Sequence, residues 1–193
     1  FSQEDHVSLP LLFYIGSETK AHPPVLPPAK VYRQQPVAFF RTGWQYGDTL
    51  VSLLNLRQVT GHGHRDRGSI VFEYNQEQLL LDPGMISYSD PAAGLFHETF
   101  CHNTLTFGQK TQVLSIQEYD TNFIDFLSTS GEFCPGDMGG IDWVIADAGA
   151  VYPQVEYFHR HVIFLRPDVC VLYDEVLAKQ PEMMEVNFNC LGA

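Results

Sequence analysis

Cations are scarce in this chain: 11 Lys and Arg stand against 23 Asp and Glu, for a formal net charge of -12. That balance excludes the broad basic surface of a nucleic-acid partner. No apolar run approaches the roughly 20 residues of a transmembrane helix, so no membrane association is expected. The four cysteines, Cys101, Cys134, Cys170 and Cys190, lack Cys-x-x-Cys spacing, which excludes the usual thiolate zinc site. Their even number permits disulfides without requiring them, and Cys170 and Cys190 sit in apolar runs suited to small core residues. Long helical periodicities are few, and no internal repeat is present. The opening residues, from Phe1, lack the charged and apolar regions of a signal peptide, so any targeting signal is expected further upstream.

What the chain does have is enough apolar material, 45% of 193 residues, for one sizeable core. His22-Pro23-Pro24-Val25-Leu26-Pro27-Pro28 favours an extended linker over a helix or central strand. We therefore divide the chain into a linker, residues 1–30, and a domain, residues 31–193. Within the domain, β-branched and aromatic runs recur at Val37–Arg41, Leu50–Val59, Ser69–Tyr74, Gln78–Leu81, Thr104–Phe107, Phe123–Ser128, Trp143–Ala146, His159–Leu165 and Val169–Val176. Turn signals such as Asn75-Gln76, Asp82-Pro83-Gly84 and Arg166-Pro167-Asp168 separate them. Short runs at this spacing indicate an all-β fold, an antiparallel β-sandwich.

The residues with the most chemistry are Gly61-His62-Gly63-His64-Arg65-Asp66, just before the run at Ser69. In extended backbone, side chains two apart share a face. An extended segment would thus turn His62, His64 and Asp66 to one side, with the glycines leaving room for a ligand. Two imidazoles and a carboxylate suit a transition metal, an acid–base site, or both. Counted back from the Asn75-Gln76 turn, Asp82 is expected nearly opposite His64. Arg57, Arg65 and Arg67 gather near these histidines, and such a local patch can receive a carboxylate in an acidic protein, because salt screens distant charges beyond about 8 Å.

The order His-x-His, Asp82-Pro83-Gly84, Tyr88, His102-Asn103-Thr104 resembles the C-terminal β-domain of heparinase II/III-like polysaccharide lyases, a family with related alginate lyases. Phe39-Phe40-Arg41-Thr42-Gly43-Trp44 is similar to the family's first strand and turn, and the stretches at His159–Phe164 and Val171–Val176 to its later hairpin. The resemblance implies an upstream helical domain, an incomplete toroid, as the partner in the same protein, and a periplasmic or secreted location. It implies an acidic, uronic-acid-containing polysaccharide as substrate. It also implies a structural divalent metal of the zinc type on His64, Asp82 and His102, with His62 free to face the substrate and Tyr88 as a second catalytic group. Arg65 stands where the family often has a small residue, and with Arg67 it is expected to meet a substrate carboxylate or sulfate.

Other readings weigh against this one. A metal-stabilised sandwich that only binds carbohydrate or a partner chain would need His64 but not His62. A cupin-type oxygenase wants a Glu with three or four residues between it and its second His, whereas positions 68 and 69 are Gly and Ser. A C5 epimerase begins with the same proton removal as a lyase and shares the expected residues.

Overall fold

The computed structural model describes residues 26–56, 63–113, 122–129 and 140–190. The apolar runs form two antiparallel sheets. The first holds β1 (Ala29–Tyr32), β2 (Val37–Arg41), β3 (Leu50–Leu54), β4 (Ser69–Tyr74) and β5 (Glu77–Leu80), side by side in chain order. After β6 (Leu105–Phe107), the second sheet holds β7 (Asn122–Ser128), β8 (Ile141–Asp147), β9 (Val155–Leu165) and β10 (Val169–Ala178), again as neighbours in sequence order. β11 (Met184–Val186) returns to pair with β6.

Alternation makes the sandwich. Ala38 and Phe40 of β2, Val51 and Leu53 of β3, and Ile70 of β4 are buried against Phe123, Val144, Ala146, Val162 and Phe164 from the second sheet. Burial of such side chains is worth roughly 1.5–3 kcal/mol each, so this interlayer supplies the main drive to fold. A second cluster, Leu105, Phe107, Ala148, Val151, Tyr152, Val155 and Phe158, fills the end of the sandwich where β6 lies. The expected all-β antiparallel sandwich is the fold found.

Several short elements escape the run-by-run reading. β1 and β11 are short and partly exposed, and the segment 93–101 forms two 3-10 turns, Ala93–His97 and Thr99–Cys101. The Asn75-Gln76 turn is a true hairpin corner, with φ of 49° and 70° at the two residues. Positive φ at both central positions is the two-residue geometry whose twist matches the flanking strands.

One buried ion pair ties the layers together. Arg160, on the core face of β9, is 0% exposed. Its Nε and Nη2 each donate to Asp174 of β10 at 2.8 Å, a bidentate pair. Its Nη1 crosses to the other layer and donates to the carbonyls of Gly68 and Asn103, both at 2.7 Å. A guanidinium suits this place because its rigid fork can satisfy four acceptors at once.

Candidate active site

The backbone leading into β4 is not extended, which corrects the expectation that His62, His64 and Asp66 share a strand face. Residues 63–68 run irregularly into a turn closed by Ser69 N–H to the Asp66 carbonyl at 3.0 Å. Gly68 takes φ of +75°, and a Cβ there would meet Thr104 Oγ1 at 3.3 Å. The positive φ favours glycine there, and the contact leaves little room for a side chain. His62 lies outside the described residues.

Asp82 is not opposite His64 either. The hairpin pairs Tyr74 with Glu77, Glu73 with Gln78 and, past an irregularity, Phe72 with Leu80. That register carries Asp82 alongside the start of β4, and the turn at 66–69 brings His64 back toward it. The carboxylate does two jobs. Oδ1 accepts from Gly84 N–H at 2.9 Å, closing the Asp-Pro-Gly turn, while Oδ2 lies 2.8 Å from Nδ1 of His102.

His64 and His102 stand with ring centroids 5.2 Å apart. On the other side of His64 is His97, at 4.3 Å, a residue the sequence reading missed. His97 ends the first 3-10 turn, its carbonyl accepts from Arg65 N–H at 3.0 Å, and its Nδ1 lies 3.4 Å from the Gly63 carbonyl. Three imidazoles and one carboxylate therefore lie in succession, His97 beside His64, His64 beside His102 and His102 bonded to Asp82, between β4, the Asp82 turn and the 3-10 segment. The sequence signal for His97 was its place five residues before His102, which no strand alternation marks.

Electrostatics favour a neutral His64 ring and an ionised Asp82. Burial, and then the neighbouring His102 and His97, lower the pKa of His64, against a smaller upward pull from Asp82. Burial works against the Asp82 carboxylate. The hydrogen bonds from His102 and the Gly84 N–H outweigh it and hold its pKa below the usual value. Burial raises the pKa of Asp66, which Arg67 partly offsets.

In kind, these groups suit a zinc-type ion: neutral imidazole, ionised carboxylate, and on the fully buried His102 an Nε2 with no hydrogen-bond partner. In arrangement the set is open. Among the described residues no three His, Cys, Asp or Glu side chains are grouped to hold an ion.

The arginines differ from each other. Arg65 reaches the surface and pairs with Glu98 at 2.7 Å. Arg67 is 2% exposed, which corrects its expected role as a substrate contact. Its guanidinium is turned inward, donating to the carbonyls of Leu56 and His64, with Asp66 Oδ1 at 3.6 Å. Arg67 therefore positions the His64 backbone. Behind it, Gln112 accepts from Arg67 N–H and donates to the Arg67 carbonyl and the Tyr152 hydroxyl, a buried brace. Tyr88 lies on the loop after Asp82 and is 58% exposed, so it is a surface group on this domain.

Asn103 fixes the floor. Its Nδ2 donates to the carbonyls of Ile70 at 2.7 Å and Leu81 at 2.9 Å, and its Oδ1 accepts from Asn189 N–H at 2.6 Å. An alanine there leaves these buried groups bare, each at about 1–3 kcal/mol. We expect Asn103→Ala to lower stability by at least about 2 kcal/mol in urea titration. A loss below about 0.5 kcal/mol, the range of ordinary surface changes, would mean the network is not what holds the floor.

The family profile described as Heparinase II/III-like, C-terminal, matches residues 49–192. No curated protein matches the chain. Among solved structures, heparan sulfate lyase HepC from Pedobacter heparinus is similar with a TM-score of 0.71 at 16% identity, over 94% of this chain and 28% of that one. A heparinase III gene product gives 0.74 at 16%, over 98% and 29%. A further heparinase III crystal structure gives 0.70 at 18%, over 90% and 26%. Identities this low establish a common fold, and the chain spans little more than a quarter of each of these proteins.

Proposed function

Because this chain belongs to the heparinase II/III-like C-terminal family, we propose that it is the β-domain of a polysaccharide lyase that cleaves a uronic-acid-containing polysaccharide by β-elimination. The observation that carries the reading is the convergence of His64, His97, His102 and Asp82 at one end of the sandwich. His64, Asp82 and His102 would hold a zinc-type ion, which when bound supplies structural rigidity to the loops around it.

The reaction sets three tasks. A base removes the C5 proton beside the sugar carboxylate, and that electron pair becomes the C4–C5 double bond. The C4–O bond breaks, and the leaving oxygen takes a proton. His62 is assigned the proton transfer, since an imidazole exchanges protons near neutral pH. Tyr88, exposed on its loop, is a candidate to protonate the leaving oxygen once a second domain closes over it. Arg65 remains the candidate to meet the substrate carboxylate, with Glu98 holding its guanidinium in place. The upstream helical domain would form the other wall of the groove, and a location outside the cytoplasm follows from the substrate. Among the described residues no helix is long and apolar enough to cross a membrane.

The test is the ultraviolet absorbance of unsaturated uronate. Mixed with heparan sulfate, the longer protein carrying a helical domain should generate it, and this chain alone should not, because one wall of a groove cannot position a polymer. Absorbance from this chain alone would refute the shared site. None from the longer protein on any uronate polymer would leave a carbohydrate-binding module as the better reading.

A further inference from the structure

The turn Arg41-Thr42-Gly43-Trp44 takes no part in the histidine site, yet it builds a groove of its own. On the outer face of the first sheet, Lys30 of β1 pairs in register with Phe39 of β2. Beside them Tyr32 meets Phe39 edge to face, with centroids 6.3 Å apart. Trp44 folds back across the groove, half exposed, its Nε1 donating to the Leu26 carbonyl at 3.3 Å. Arg41 lies over the Trp44 ring at 4.6 Å and Lys30 Nζ stands 5.6 Å from the Tyr32 centroid. With Pro27 and Pro28 these residues line a cavity of about 180 Å³.

Two facts point to a ligand. The Tyr32 and Trp44 rings are each about half exposed, although Arg41 lies over Trp44, and flat rings flanked by polar groups suit the faces of sugar rings. Among the described residues, neither Lys30 nor Arg41 enters an ion pair, in a chain where acids outnumber cations 23 to 11. Two cations without an acidic partner, set beside half-exposed aromatic rings, suit an anionic ligand.

We propose that this groove is a second binding site, for an acidic oligosaccharide, whose carboxylate or sulfate groups meet Lys30 and Arg41 while a sugar ring stacks on Trp44 or Tyr32. The ligand's class rests on the function proposed above; the site itself rests on its own geometry. β1 and β5 are the two edges of the first sheet, four strand spacings or about 19 Å apart. A polymer engaged here is thus held at a distance from the histidines, and one that spans both sites gains from the raised local concentration at the second.

The chain has two tryptophans. The other, Trp143, donates to His161 in the second sheet, so Trp143→Phe leaves Trp44 as a reporter of this groove. In that variant, a heparan sulfate octasaccharide should shift or quench the emission saturably, and added salt should weaken the response. A Lys30→Ala, Arg41→Ala double variant in the same background should weaken binding at least tenfold, and neutral maltooctaose should give no response. Equal response to the neutral sugar, binding that survives loss of both cations, or no response to the acidic octasaccharide would each overturn the site. Elimination is read separately. Binding at Trp44 without elimination by the longer protein would sink the lyase reading and leave this site. Elimination without a Trp44 response would sink this site alone.

Discussion

Arg160→Ala should lower the unfolding free energy by about 3–5 kcal/mol, the usual consequence of removing one partner from a buried ion pair. The loss is large because three acceptor groups are stranded together: the Asp174 carboxylate on β10, the Gly68 carbonyl before β4, and the Asn103 carbonyl beside His102. Urea titration followed by far-ultraviolet circular dichroism measures it. A charge-free pair, Arg160→Met with Asp174→Leu, separates the causes. Removing both charges relieves the unpaired carboxylate, but the two carbonyls stay unsatisfied, so this variant should recover only part of the loss. Full recovery would show that the ion pair, and not the bridge between layers, is what matters.

His62→Ala in the longer protein should reduce turnover by about 10²–10⁴-fold, the range supplied by a positioned acid–base group. Metal content and melting temperature should stay near wild type. His64→Ala should behave differently. Its ring is held between His97 and His102, so on the proposed ligand set its loss should remove the zinc-type ion and lower the melting temperature along with activity. Turnover, zinc by emission spectrometry and thermal unfolding on both variants make the comparison. Wild-type turnover in His62→Ala would refute its catalytic assignment. Unchanged zinc in His64→Ala would refute the ligand assignment.

The sandwich was legible because its core strands alternate, as β8 and β9 do with Val144, Ala146, Phe158, Val162 and Phe164 facing in. β1 and β11 were not, since three- or four-residue edge strands carry too little alternation to stand out. His64, Asp82 and His102 could be picked out because each borders a turn or strand and follows a known order. Their route to one another could not be read, because it depends on the turn at 66–69 and an irregular register between β4 and β5. His97 sits in a 3-10 turn, where no period marks the inward face. Arg67 and Arg160 were hidden by their charge: arginine is ordinarily taken as a surface residue, and only the tertiary supply of carbonyls and carboxylates makes either tolerable inside.

The last described stretch is stitched onto the middle of the chain. Asn187 N–H donates to the Thr104 carbonyl, Asn189 N–H to Asn103, and Leu81 N–H to the Asn189 carbonyl, while β11 pairs with β6. The three hydrogen bonds join residues more than 80 positions apart in sequence, and the strand pairing joins residues almost as distant. During synthesis, the histidine loops would emerge from the ribosome well before the segment that fastens them, and long-range closures of this kind form late. Until residues 184–189 arrive, the nascent chain holds its imidazoles without a fixed frame, so a ribosome stalled ahead of that point should carry two nearly complete sheets and no assembled site.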